Sequence, residues 1–123
     1  MEMKHIILFI LLSVSVISLG CLGTSIKEIN TNPESNMGTS VELSGIIFTT
    51  EENGLWFELT DDRRAFDKYS VDEYRIIYVH NTIRFDAEKE YNKNKQGNII
   101  VKGIIKKDDS HGTYIEANSI TLK

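Results

Sequence analysis

Alternating apolar and polar residues recur in five stretches of this chain, and a period of two is that of β-strands. The first two stretches are separated by a segment that ends in Asn53 and Gly54, a strong signal for a hairpin turn. The last two are separated by residues 108–112, which are also turn-forming. The pattern predicts strands over residues 41–48, 55–60, 74–79, 98–106 and 113–122.

The segments between these strands are polar. Residues 61–73 predict an irregular connection with room for one helical turn. Residues 86–96 predict a short helix, because Asp86 can cap its start and Gly97 can end it. The chain is therefore predicted to be all-β, with a short helix between strands 3 and 4.

Two glycines, Gly45 and Gly103, interrupt strands that are otherwise apolar. A glycine inside a strand marks a bend or the close approach of another backbone. We interpret both as bends that close the sheet into a barrel, and a local bulge in an open sheet is the alternative. The second strand is predicted to point three apolar side chains inward: Leu55, Phe57 and Leu59.

Five strands with a helix between the third and fourth follow the plan of a small Greek-key barrel. Residues 41–47, 56–61, 101–105 and 114–120 are similar to the nucleic-acid-binding OB-fold superfamily, in particular its anticodon-binding-like group. The resemblance covers most of residues 41–123. It implies a five-stranded OB-fold barrel whose binding face lies on strands 2 and 3 and their flanking loops.

Five residues map onto that implied binding face: Trp56, Glu58, Arg63, Arg64 and Arg75. The alternation of strand 2 places Trp56 and Glu58 outward, and an outward aromatic ring can stack on a nucleic-acid base. The alternative for Trp56 is burial under the long connection that follows strand 2. Glu58 would oppose a phosphate backbone.

The N-terminus carries a short polar start with Lys4, an apolar run over residues 6–19, and a small residue, Gly20, before Cys21. This order is that of an export signal. The segment resembles a prokaryotic lipoprotein signal, which implies cleavage before Cys21 and a lipid on its sulfur. An uncleaved membrane anchor and free secretion are the alternatives. Every alternative places the remaining chain outside the cytoplasm.

The predicted organisation is a signal peptide that forms an N-terminal helix (residues 1–20), a segment of lipid attachment and tether (21–40) and an OB-fold domain (41–123). The tether is polar and turn-rich except for Ile26 and Ile29. Their helical spacing allows them either to dock on the domain or to remain exposed.

Charge and residue content narrow the choice of function. The net charge of −4 disfavours a nucleic-acid partner, which usually needs a basic field. The single cysteine cannot form an internal disulfide. His5, His80 and His111 show no metal-ligand spacing, and His111 is predicted to be a solvated turn residue. The sequence contains no recognisable catalytic motif and predicts no cofactor.

The leading hypothesis is a non-enzymatic OB-fold binding or scaffolding module, anchored to the outer face of a cell membrane and recognising an unidentified protein or small ligand. The alternative is an extracytoplasmic single-stranded nucleic-acid-binding protein, suggested by Trp56 and the arginines near it. A subunit of an envelope enzyme complex is a third hypothesis.

Overall fold

Five strands close into a barrel in the computed structural model, which describes residues 24–67, 71–93 and 97–123. Around the barrel the order is β1-β2-β3-β5-β4, and β4 pairs with β1 to complete the circle. Neighbouring strands are antiparallel except β3 and β5, which are parallel. The strands are β1 (Ser40–Glu51), β2 (Trp56–Thr60), β3 (Ile76–His80), β4 (Ile99–Asp108) and β5 (Gly112–Leu122). This is the OB fold, and the predicted fold class is confirmed.

Short helices fill the connections. The described residues include three α-helices: α1 (Ile26–Thr31), α2 (Pro33–Asn36) and α3 (Ala87–Tyr91). They also include three short 3₁₀ segments: Glu52–Gly54, Arg63–Asp67 and Glu73–Arg75. Within the described ranges, none of the helices has the length and apolar character needed to cross a membrane. The predicted signal helix in residues 1–20 lies outside the described residues.

Helix α3 begins as predicted and ends early. The Asp86 carboxylate accepts a hydrogen bond from the Lys89 amide at 3.1 Å, which caps the first turn. Within the described residues the helix ends at Tyr91, and Asn92 and Lys93 do not continue it. Both residues are polar and offer no apolar side chain to pack a further turn against the barrel. The rest of the predicted helix, residues 94–96, lies outside the described residues.

Apolar side chains from all five strands fill the barrel. Phe57 and Leu59 are fully buried, as the alternation of β2 predicts. The inward prediction for Leu55 is wrong, because 42% of its surface is exposed. Leu55 lies in the turn before β2 and has a helical backbone conformation (φ −63°, ψ −33°), so it does not share the alternation of the strand.

The two strand glycines lie where backbones approach too closely for a side chain. Gly45 is the last residue of β1 to pair with β4, and from Ile46 onward β1 pairs with β2. A Cβ at Gly45 would overlap the carbonyl oxygen of Thr60, and a Cβ at Gly103 would overlap that of Glu116. The pairing of β4 with β5 also shifts register at Gly103. Both residues therefore permit the bends of a closed barrel, as predicted.

The predicted tether over residues 21–40 is corrected from Ile26 onward, because α1 and α2 form there. Ile26 and Ile29 are buried in the same core as the strands. The Asn30 side-chain amide donates to the backbone carbonyls of Tyr74 at 3.0 Å and Ile76 at 2.8 Å, which joins α1 to the start of β3. This segment is thus part of the folded domain.

Candidate functional site

Trp56 is stacked with two histidine rings on the outer side of β2. Its ring centroid lies 4.3 Å from that of His80 and 3.6 Å from that of His111, with interplanar angles of 13° and 5°. Two imidazoles this near one indole would overlap on a single face, so they lie on opposite faces. Tyr78 and Tyr114 add edge contacts at 6.3 Å and 5.0 Å. Only 7% of the Trp56 surface remains exposed.

Trp56 is therefore covered, and within the described residues the rings that contact it come from β3, β5 and the β4–β5 turn. Its direct neighbour across the β2–β3 ladder is His80, and the second ring comes from the β4–β5 turn. A base could stack on the indole only if His80 or His111 moved away. The predicted role of Trp56 as an open stacking platform is not supported by this arrangement.

His111 is held between two loops, and its prediction as a solvated turn residue is wrong. Only 13% of its side chain is exposed. Its Nε2 lies 3.2 Å from the Glu51 carboxylate at the end of β1, and its Nδ1 lies 3.4 Å from the Asp108 carboxylate. The His111 amide donates to Asp108 at 2.6 Å, and this bond lowers the pKa of that carboxyl. His111 thus ties the β4–β5 turn to the β1–β2 loop.

His80 faces a second charged group on β5. Its Nδ1 is buried, lies 3.9 Å from the Glu116 carboxylate, and has no hydrogen-bond partner within the described part of the chain. Glu116 instead forms an ion pair with Lys106. The hydrogen bond between these two side chains lowers the pKa of Glu116 and raises the pKa of Lys106. The stack is therefore enclosed by carboxylates from β1, β4 and β5.

A groove of about 370 Å³ opens beside the stack, on the face of β2 and β3. β3 and β5 pair only through residues 78–80 and 114–116, and the groove lies where the two strands diverge before that pairing. Asn30 of α1 forms part of its wall. The other described lining residues are Glu58, Glu73, Ile76, Tyr78, His111 and Thr113.

The groove has a negative electrostatic character. Glu58 and Glu73 line it, and none of its described lining residues is a lysine or an arginine. Burial raises the pKa of the Tyr78 phenol, and the nearby carboxylates of Glu58 and Glu51 raise it further. Glu58 accepts a hydrogen bond from the Thr49 hydroxyl, which fixes the position of the carboxylate.

The three predicted arginines are not among the described lining residues of the groove, and two of them pair with carboxylates of the β2–β3 connection. Arg64 binds Asp62 through Nη2 at 2.8 Å and through Nε at 3.1 and 3.2 Å. Arg75 bridges Asp61 at 3.0 Å and Asp62 at 3.3 Å. Hydrogen bonds from Arg64 are the main cause that lowers the pKa of Asp62 to about 2. The charges of Arg64 and Arg75 are therefore committed within the protein.

Arg63 also has a partner inside the chain. Its Nη2 donates to the side-chain oxygen of Asn98 at 2.7 Å. The predicted site residues thus separate into two groups. Trp56 and Glu58 belong to the β2–β3 face, whereas the arginines form a structural network at the end of β2. Cys21, the predicted lipid attachment site, lies outside the described residues.

Sequence reasoning missed most of the aromatic stack and one groove carboxylate. Tyr78 and His80 alternate with buried Ile77 and Val79 in β3, so their shared face could have been found from the strand pattern. No sequence pattern indicates that His111 lies against Trp56, because that contact depends on which strands neighbour each other in the barrel. In the described ranges, no group of three or more His, Cys, Asp or Glu residues is placed to hold a metal ion.

Comparisons with known proteins identify the fold and nothing finer. No family model matches the chain, and no curated protein matches it. The asparaginyl-tRNA synthetase of Pyrococcus horikoshii, complexed with asparaginyl-adenylate, aligns at 21% identity with a TM-score of 0.50. That alignment covers 80% of this chain and 21% of the synthetase, so this chain spans about a fifth of the synthetase.

Two smaller solved structures are also similar. OBody AM2EP06, bound to hen egg-white lysozyme, aligns at 16% identity with a TM-score of 0.47, covering 82% of this chain and 92% of the OBody. The second single-stranded DNA binding protein (SSBb) of Mycobacterium smegmatis aligns at 16% identity with a TM-score of 0.40, covering 71% and 90%. Likeness at such identities concerns the fold alone.

Proposed function

We propose that this chain is a non-enzymatic OB-fold module, anchored at the outer face of a cell membrane, that holds a protein partner in the groove on its β2–β3 face. The groove itself carries the proposal. It combines a fixed aromatic wall, formed by Tyr78 and His111, with two carboxylates and an opening between diverging strands. Such a mixture of apolar surface and a few oriented polar groups is typical of ligand sites.

The membrane anchor rests on the export signal and Cys21. Helix α1 begins just after its cap residue Ser25, four residues beyond Cys21. Four residues span at most about 14 Å. A lipid on Cys21 would therefore hold the barrel close to the bilayer, with α1 and the neighbouring groove on the anchored side.

Replacing Cys21 with serine is expected to move the protein from the membrane fraction to the soluble fraction. The serine hydroxyl cannot replace the thiol that carries the lipid, and two acyl chains are needed for stable anchoring. Fractionation of cells followed by mass measurement of the mature chain checks this result. Ser25→Ala, a matched control downstream of Cys21, should keep its lipid mass. Retention of Cys21→Ser in membranes would instead identify an uncleaved anchor.

Extracytoplasmic binding of single-stranded nucleic acid is the weaker candidate. The groove presents carboxylates where a phosphate backbone would need cations. Arg64 and Arg75 are paired with aspartates, and Trp56 is covered by histidine rings. Each of these features would have to rearrange before a strand could bind across β2 and β3.

A photo-crosslinking residue at Thr113 tests the binding proposal in the full, membrane-anchored chain. Thr113 lines the groove, whereas Thr121, near the other end of β5, is exposed and serves as the matched control position. We expect a discrete protein adduct from position 113 in living cells and none from position 121. Equal labelling at both positions, or no adduct at either, would contradict a partner site in the groove.

A further inference from the structure

The groove contains two carboxylates that lack a cationic partner within the described residues. Glu58 accepts only the Thr49 hydroxyl there, and Glu73 enters no ion pair with the described part of the chain. Other carboxylates nearby are matched. Asp61 and Asp62 have arginines, and Glu116 has Lys106. Glu58 and Glu73 are thus negative charges in the groove that a bound cation could neutralise.

The hydrogen-bonding groups of the groove are mainly acceptors. Both hydrogens of the Asn30 amide are used by the carbonyls of Tyr74 and Ile76, so this side chain offers the groove its oxygen. With the two carboxylates, three side chains present acceptors to a ligand. A guanidinium has five donors in a planar fork and no acceptor, which makes it complementary to such a wall.

The apolar part of the groove suits the rest of an arginine side chain. Ile76 offers a surface for the methylene stem, which arginine commonly buries along apolar surface. Tyr78 offers an aromatic ring, and guanidinium groups stack on such rings. That ring is held by edge contacts with Trp56 at 6.3 Å and His111 at 5.0 Å. A rigid ring of this kind reduces the ordering cost of binding.

We propose that the groove binds an arginine-bearing segment of a partner protein, with the guanidinium between Glu58 and Glu73 and its stem against Ile76 and Tyr78. This inference rests on the proposed function and narrows it to one class of partner. It excludes phosphates as groove ligands, since the described lining residues include two carboxylates and no lysine or arginine.

Trp56 provides the readout, because it is the single tryptophan of the chain and contacts both aromatic residues of the groove wall. The full chain, in non-ionic detergent at low salt, is titrated with an acetylated and amidated tetra-arginine peptide while Trp56 fluorescence is followed. Tetra-citrulline, which has nearly the same shape without the charge, is the matched ligand control. We expect a saturable change with tetra-arginine and none with tetra-citrulline.

Variants locate the binding site. Glu58→Gln and Glu73→Gln each remove one charge with little change in shape and should weaken tetra-arginine binding about 10-fold. Glu88→Gln removes the same charge from the exposed surface of α3, outside the groove, and should leave binding unchanged. Equal weakening by all three variants would mean that tetra-arginine responds only to overall charge, and would overturn the inference.

Two further probes test other classes of ligand for the groove. Spermine binding as tight as tetra-arginine would identify a free polyamine as the ligand and overturn the proposal of an arginine-bearing protein segment. Saturable binding of a 15-nucleotide dT strand, with no response to tetra-arginine, would overturn it in favour of nucleic acid. If position 113 still forms its protein adduct while tetra-arginine fails to bind, the groove holds a partner of different chemistry. The proposed function would then stand without this inference.

Discussion

Replacing Gly103 with alanine is expected to destabilise the domain by about 3 kcal/mol, at the upper end of the usual cost of overpacking. The added Cβ would overlap the backbone carbonyl of Glu116. A strand backbone in a closed barrel cannot shift without disturbing the ladders on both of its sides, and β4 is paired with β1 and β5 at this point. Thermal unfolding followed by circular dichroism should show a midpoint lowered by roughly 15 °C.

Gly97→Ala is the matched control for Gly103→Ala. Gly97 lies before β4, and apart from its chain neighbours no atom of the described residues lies within 4 Å of the position its Cβ would occupy. Alanine there should be neutral, or stabilising by about 0.4–1 kcal/mol through the unfolded chain. An unfolding midpoint for Gly103→Ala equal to that of Gly97→Ala would show that β4 and β5 are not packed as closely as described.

The second large effect is expected at Ile29, in the segment between the predicted lipid site and the barrel. Ile29 is fully buried, in the same core cluster as the strands. Truncation to alanine removes buried apolar surface and leaves a cavity, which costs about 3 kcal/mol at a site of this kind. Chemical denaturation of Ile29→Ala, monitored by circular dichroism, measures the loss of unfolding free energy.

Lys27→Ala is the matched control for Ile29→Ala, because it truncates a side chain of the same helix that is not buried in the core. Lys27 lies in the same α1 helix, but it is exposed and its ammonium lies 5.6 Å from the centroid of the Tyr74 ring. Its replacement should cost less than about 1 kcal/mol, the usual worth of such an exposed contact. If Ile29→Ala were no more destabilising than Lys27→Ala, residues 26–31 would be a free tether as the sequence pattern suggested.

Docking of α1 also shapes the candidate site. Ile26 and Ile29 pack α1 against the core, and Asn30, on the same helix, lines the groove. Ile29→Ala should therefore disturb the groove wall as well as the stability of the domain. The segment that joins the proposed anchor to the barrel is in this way part of the groove wall.

The sequence by itself determined that five strands follow one another along the chain and that two of them bend at a glycine. The alternation of apolar and polar residues in β1 and β2 is a local property of the sequence. Few structures other than a β-strand place every second residue on one buried face. Gly45 and Gly103 were informative because no other residue fits where two backbones meet. Asp86 marked the start of α3 because an N-cap acts on its own first turn. Alternation and capping act within a few residues, and a glycine inside an apolar strand is itself a local signal even where the backbone that it meets is distant.

Only the tertiary structure decided which residues meet across the barrel. The stack of His80, Trp56 and His111 joins β2, β3 and the β4–β5 turn, and His111 is far from Trp56 in the sequence. The arginines near Trp56 looked like a binding patch, but Asp61 and Asp62 lie close enough in the fold to pair with Arg64 and Arg75. Short polar segments such as residues 26–36 carry weak local preference, so packing of two isoleucines decided their structure. Contacts between side chains on distant segments depend on which strands become neighbours when the barrel closes, and local patterns do not encode those neighbours.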